Sequence, residues 1–371
     1  MRVAQVSPLP PARTGVAEFA ARIERELSSY SEVQSFSQAE PQRLREFDTR
    51  LYQIGNNPLH TGAYRAALQA PGVVELHAAV LHHFQLGSLG PESYVKEFCY
   101  CHGDWLEDLA KHLWKARSSS ASEALYFRYG MTKRIVDSAE RVIVHNPAAL
   151  DMARESAPVP DFVEIPHYVD PPPSRSTAEL AATKLRLEIP RGIVVFGCFG
   201  YHRPTKRLRS VLRALRNVKA GWRFLVVGEF VSDDFEDALG SLLTDSRVVR
   251  IPYVSDEELW ELASITDVCV NLRWPTAGET SGIAMKLLSL SKPVVITRGP
   301  EWDRFPAGTL APIDPGEVEE DMLAECLDRL AADPDLRAAM GEAAGEHVRK
   351  HHAIDVVVPQ YLRALGIDPQ G

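Results

Sequence analysis

Glu279, Thr280, Ser281 and Gly282 stand between an apolar run, Val268 to Leu272, and a segment with helical character, Ile283 to Leu290. Free backbone N–H groups and the positive dipole end at a helix start suit an anion. A carboxylate such as Glu279 is misplaced beside a phosphate but suits a neutral polyol, and a sugar phosphate has both parts. A second set is cationic: Arg203, Lys206 and Arg207, with Pro204 and Thr205 between, follow the apolar run Ile193 to Phe199. Positive charge at a helix start opposes the dipole, a cost that makes sense where the cluster neutralises a bound diphosphate. The plain alternative for Lys206 is a surface lysine, and Arg209, Arg213 and Arg216 are read as solvated helix surface. His77 closes a third run, Val73 to Leu76, where the default is a packed or hydrogen-bonded ring. His82 and His83 follow it, but no convergent carboxylate or cysteine stands at metal-site spacing, so no metal is expected.

The elements that must position these groups read as alternating strands and helices. Runs at 2–6, 33–36, 50–54, 73–76 and 141–145, then at 193–199, 224–229, 248–251, 268–272 and 293–297, read as strands of parallel sheets, with 268–272 and 293–297 as apolar as strands buried on both faces. In such sheets ligands bind beyond the carboxyl ends of the strands. Gly15 stands in that position before a helical segment, Val16 to Leu27, with an ordinary turn as the alternative. Gly55, Asn56 and Asn57 also border a strand end, where an Asn-rich turn explains them nearly as well. Gly197 and Gly200 after a strand, with Glu229 ending the next, raise a nicotinamide-type fingerprint, but the third glycine is replaced by the Arg203 to Lys206 cluster. Tyr253 precedes a capping pattern, Ser255 to Glu258. Residues 92–139 are helical and irregular; their aromatics (Tyr94, Phe98, Trp105, Tyr126, Phe127 and others) are candidates for stacking on sugar or lipid, with helix packing as the alternative.

The chain has 371 residues, beyond a comfortable single core, and divides at a Pro- and Ser-rich stretch beginning at Pro171. The expected division is a Rossmann-like domain over 1–170, completed by a C-terminal helix within 354–371, a linker over 171–190, and a second Rossmann-like domain over 191–353. A net charge of −9 argues against sequence-independent nucleic-acid binding. Five scattered cysteines, with Cys198 and Cys269 inside strand patterns, read as reduced thiols of a cytoplasmic protein. Neither a signal peptide before Met1 nor a membrane-spanning segment is expected.

The stretch NLRWPTAGETSG followed by SKPVV, with SPLPP…TG near the start and IPHYVD before the proposed linker, resembles the retaining glycosyltransferases of family 4 (glycosyltransferase group 1), as a subgroup with a GETSG-type donor loop. That family implies an α/β fold of GT-B type: two Rossmann-like domains with parallel sheets facing a central cleft. It has two glutamates about two helical turns apart; the first is Glu279, and the second position holds Lys286, which either contacts a phosphate or is solvated. By the same resemblance Gly15 faces the cleft, His77 contacts the donor sugar near the reacting centre, and the nucleotide base lies near Tyr253. Many subgroup members continue with Asp after the histidine, where this chain has Ala78. The family's diphosphate clamp, an Arg and a Lys after the glycine of the first turn, maps to Gly200, Lys206 and either Arg203 or Arg207.

The implied activity is retaining, metal-independent transfer of a glycosyl group from a nucleoside diphosphate sugar to an acceptor hydroxyl, in polysaccharide or glycoconjugate biosynthesis. His77, Glu279 and Lys206 are the catalytic candidates. Gly15, Gly200, Arg203, Arg207, Tyr253, Thr280, Ser281, Gly282 and Lys286 are the donor-binding ones. No cofactor is implied beyond the sugar nucleotide as co-substrate. The acceptor is a carbohydrate or lipid-linked glycan, with membrane contact at most peripheral, at the inner face. The competing readings are a non-catalytic sugar-nucleotide-binding relative, a nicotinamide-dependent oxidoreductase and a sugar-nucleotide epimerase.

Overall fold

The computed structural model describes residues 1–12, 14–157 and 160–368, so Arg13 in the first loop and the last three residues of the expected C-terminal segment lie outside it. Two six-stranded sheets carry the fold. The first contains β1 (Arg2–Val6), β2 (Glu32–Phe36), β3 (Thr49–Ile54), β4 (Val73–Leu76), β5 (Arg141–Val144) and β6 (Asp161–Glu164), in the order β2-β1-β3-β4-β5-β6. The second contains β7 (Val194–Phe199), β8 (Trp222–Val227), β9 (Val248–Ile251), β10 (Val268–Asn271), β11 (Val294–Thr297) and β12 (Ala311–Ile313), in the order β12-β11-β10-β7-β8-β9. Every strand pair is parallel. The expected fold class, α/β with two Rossmann-like parallel sheets, is the one found.

The apolar runs make strands because helices cover both faces of each sheet. All six residues of β7 are buried. Val194, Phe196 and Cys198 join one core and Val195 and Phe199 the other, as the two-residue side-chain period requires. In the first sheet Ala4 and Val6 face one core, while Val3 faces another built with Phe19 and Ile23 of the Gly15–Leu27 helix. The C-terminal helix Ile354–Leu365 completes that second face with Val357, Val358, Tyr361 and Leu362.

The chain passes between the halves twice, and the two passes lie side by side: Val169 N–H donates to the carbonyl of His352 at 2.8 Å. In the stretch read as a linker, residues 177–186 form a helix, Thr177–Arg186, closed by a capping box between Ser176 and Glu179. Its neighbours Leu180, Leu187 and Ile189 pack on the second sheet's core. Among the described residues no helix is long and apolar enough to cross a membrane.

Candidate active site

The carboxyl ends of both sheets face one cavity of about 1090 Å³, lined from the first half by Gly15, Asn56, His77 and His145 and from the second by Arg203, Arg273, Glu279 and Ser281. The loop after β10 builds the second-half wall. Arg273 is fixed at the strand end by its N–H, which donates to Thr297 Oγ1 at 3.0 Å, and its guanidinium turns onto Glu279 Oε1 at 2.5 Å. Arg203 Nη2 reaches the same oxygen at 3.2 Å, and Ala277 N–H donates to the other carboxylate oxygen at 2.7 Å. Burial pushes the Glu279 carboxyl up, but Arg273 and Arg203 outweigh it and hold the group below the usual carboxylate range. Glu279 is therefore an anion shared by two guanidinium groups. Those two groups are placed to exchange it for a more highly charged ligand.

Ser281 caps the Gly282–Ser289 helix through Ala284 N–H at 3.2 Å, and its hydroxyl also accepts from Arg273 Nη2 at 3.3 Å. The helix start therefore sits beside both arginines. Gly282 faces His167 of the first half, whose ring lies 3.5 Å from where a Cβ would be. Thr280 is held directly by the first half, since Asn146 Nδ2 donates to Thr280 Oγ1 and to the carbonyl of Gly278, each at 2.9 Å.

The cationic turn after β7 divides. Residues Pro204–Lys206 form a 3-10 turn, Arg207 is left-handed at φ 55°, and the α-helix begins only at Leu208. Arg207 does not reach the cavity: its Nε donates to both Glu319 oxygens, at 2.9 and 3.1 Å. Of the two alternatives for the clamp, only Arg203 lines the wall. Lys206 is 6% exposed and its ammonium donates to the carbonyl of Phe199. It lies behind the wall, with its Nζ beside Gly200. Gly200, at φ +79°, is the residue that lets it pass: an added Cβ would stand 3.3 Å from Lys206 Nζ.

At the far end of the cavity stand Tyr253, Asp256 and Lys286. The Lys286 ammonium pairs with Asp256 and lies 5.2 Å from the centre of the Trp260 ring. It is thus engaged by a carboxylate and an aromatic face. Gly15 opens its helix, and among the described residues nothing lies within 4 Å of where its Cβ would stand.

On the first-half wall His77 follows β4, packed edge-on against Phe19 at 4.9 Å and beside His145 at 5.0 Å. Burial first, then the neighbouring His145 and His60, hold its pKa well below the ordinary value, so the ring is neutral. Of the aromatics in 92–139, Phe127 reaches the cavity wall, whereas Tyr94, Phe98 and Tyr126 pack in a buried cluster and Trp105 is 83% exposed.

Sequence reasoning missed Arg273, Asn146, His145 and His167. Arg273 and His145 stand at or just past the end of a buried run, the position that singled out His77, and Asn146, one residue on, caps the Pro147–Ser156 helix through Ala149 N–H.

Three comparisons bear on this arrangement. Residues 203–363 match the sequence model of a family described as glycosyl transferase-like. No curated protein matches the chain by sequence. Among solved structures, sucrose-phosphate synthase from Thermosynechococcus elongatus superposes with a TM-score of 0.70 at 13% identity, over 98% of each chain. Anabaena Alr3699/HepE in complex with UDP-glucose gives 0.70 at 15% identity, over 99% of each chain. A UDP-forming α,α-trehalose-phosphate synthase from Burkholderia xenovorans, in complex with glucose-6-phosphate, gives 0.60 at 13% identity, over 88% of this chain and 75% of that one. At such identities the likeness carries the fold, which is of GT-B type.

Proposed function

We propose that this protein is a retaining glycosyltransferase that moves a glycosyl group from a nucleoside diphosphate sugar to an acceptor hydroxyl. The observation that carries the reading is the convergence of Arg203, Arg273 and the start of the Gly282–Ser289 helix on one wall of a cavity between the sheets. The glycosyl transferase-like match over 203–363 and the sugar-nucleotide complex of the Anabaena relative support it. Residues 1–170 with the C-terminal helix would form the acceptor domain, 191–353 the donor domain, and 171–190 their connection.

Departure of the sugar places negative charge on the diphosphate and positive charge on the anomeric carbon. Preorganised cations and helix-start amides stabilise the first. Arg203 and the amides of Thr280 to Gly282 take that role, with Lys206 supplying charge from behind Gly200; the leaving diphosphate needs no divalent ion. Tyr253 flanks the base, and Lys286, with Asp256, borders the nucleoside. Glu279, held by two arginines, is not a free nucleophile; it orients the sugar hydroxyls as the arginines turn to phosphate, and His77 hydrogen-bonds near the reacting carbon. Same-face attack assisted by the departing phosphate oxygen follows, and the configuration is retained. The acceptor, a carbohydrate or lipid-linked glycan of polysaccharide or glycoconjugate biosynthesis, enters along Asn56, His83 and Phe127.

A thermal-shift panel of nucleoside diphosphates, their sugars, NAD and NADP tests the reading. A nucleoside diphosphate should stabilise the protein and the nicotinamide dinucleotides should not. With the donor so identified, Lys206→Ala should lower kcat by roughly 10²-fold, the scale of losing one preorganised charge donor; near-normal turnover would remove Lys206 from the mechanism.

A further inference from the structure

We propose that Glu75, His77 and His145 form a binding site for a divalent transition-metal ion, with zinc the best match, in the first-half wall of the cavity. One ligand atom from each of these residues lies within 4.8 Å of the others. They come from two paired strands: Glu75 is in β4, His77 directly follows it, and His145 directly follows β5. The ligand set lies on the wall opposite the diphosphate clamp but shares His77 with the proposed transfer reaction. A metal on its Nε2 and a hydrogen bond from that atom near the reacting carbon are alternatives, and metal uptake is read independently of turnover.

Hydrogen bonding leaves a cation-shaped demand at this point. His145 Nδ1 is 2.9 Å from the carbonyl of Ile165, which can only accept, so the proton sits on Nδ1. The other ring nitrogen, Nε2, faces Glu75 Oε1 at 3.2 Å. Glu75 is itself fully buried and accepts from Gln53 Nε2 at 2.9 Å and from the Tyr361 hydroxyl. An imidazole nitrogen and a carboxylate oxygen are thus held against each other out of water. Among the described residues neither His145 Nε2 nor His77 Nε2 has a hydrogen-bond partner, and both atoms are buried. A proton on His145 Nε2 would satisfy that one contact and leave His77 Nε2 orphaned. A single metal ion would take both nitrogens and the carboxylate oxygen.

Bond lengths of about 2.0–2.2 Å place neighbouring donor atoms of a tetrahedral zinc site roughly 3.3–3.6 Å apart, against 3.2 Å for His145 Nε2 and Glu75 Oε1 and a bound of 4.8 Å for the whole set. The outer partners also fit. A ligating histidine ordinarily gives its other N–H to a carbonyl and a ligating carboxylate is ordinarily hydrogen-bonded, which is what Ile165, Gln53 and Tyr361 provide. Two imidazoles with one carboxylate favour zinc over magnesium or calcium. Because His77 and His145 also line the cavity, the remaining coordination position opens toward it and would take an oxygen ligand.

The test is direct uptake by the full chain. Protein stripped with a chelator is titrated with Co²⁺, followed by its visible absorption, and with Zn²⁺ by calorimetry. The wild type should bind one equivalent per chain. His77→Ala and His145→Ala should each weaken binding at least tenfold, and Tyr361→Phe, which keeps all three ligands, by roughly 10-fold or more. His347→Ala, a buried histidine outside the group, should bind as the wild type does. Should the ligand variants fail to fold, wild-type stoichiometry and Tyr361→Phe decide. Absence of stoichiometric uptake by the wild type, or uptake that none of these variants weakens, overturns the proposal.

Discussion

Lys206 is buried, and among the described residues no carboxylate pairs with it: its ammonium donates to the carbonyl of Phe199, and the charged side chains Arg273 and Arg203 that act on it are positive. Burial first, and those two arginines after it, push its pKa down to about 8. The sign of the pH effect follows. Between about 8 and the ordinary lysine value near 10.4, the unfolded chain holds a proton that the native chain has released, so stability rises with pH across that window and the penalty is full at pH 7. Urea unfolding from pH 7 to 10 should show the wild type gaining on Lys206→Met by on the order of 3 kcal/mol; a flat difference would mean the ammonium is solvated. A bound diphosphate should narrow the gap by favouring the charged form. The sequence made Lys206 visible because cations gathered at one turn, and Glu279 visible by motif. It hid Arg273, although that residue sits inside the same motif, because an arginine after a strand is read as solvent-facing until the carboxylate six positions on is seen to turn back onto it. Arg207 was misleading for the converse reason: its partner Glu319 lies 112 positions away, beyond any local pattern.

At the scale of elements the loop from Pro275 to Ser281 joins the two halves as well as serving the second. Ala79 N–H donates to the carbonyl of Ala277 at 2.8 Å, and Asn146 holds Gly278 and Thr280. Gly278 makes the close approach possible: at φ +70° an added Cβ would stand 3.0 Å from Met152 Sδ and 3.2 Å from Ala79 Cβ. Gly278→Ala should cost about 1–3 kcal/mol from the left-handed conformation and the contacts together. It should also weaken nucleoside diphosphate binding, since Glu279 and Thr280 move with the loop. Urea unfolding and calorimetry measure the two effects, and an unchanged midpoint would show the loop free of the first half. Most strands were legible, because runs buried on both faces, as in β7, β10 and β11, leave a continuous apolar trace, and the observed ends differ from the read ones by a residue or two. β12 was not, being three residues with a proline at a sheet edge. The Thr177–Arg186 helix carried its capping box openly, as Ser176 and Glu179, but the prolines before it marked the stretch as a connection.

For the whole molecule the order of the chain and the order of its packing differ, and the C-terminal helix is where they part. After the second sheet is complete the chain returns beside Val169, and the Ile354–Leu365 helix covers the first sheet next to the Gly15–Leu27 helix. Val357, Val358, Tyr361, Leu362 and Leu365 are buried there, and Tyr361 reaches Glu75 beneath the cavity wall. At about 1.5–3 kcal/mol for each large apolar side chain removed from water, this helix contributes on the order of 10 kcal/mol, comparable to the whole stability of an ordinary domain. The second sheet draws its cores from other residues and should not share the loss. A chain ending at Ala353 should therefore lose protection in its first half alone. Limited proteolysis followed by mass spectrometry should show peptides from residues 1–166 released early, while those from 191–351 persist as in the full chain. Equal resistance in both halves would show that the first sheet holds without its last helix, and early loss of both would show that the sheets fold as one unit.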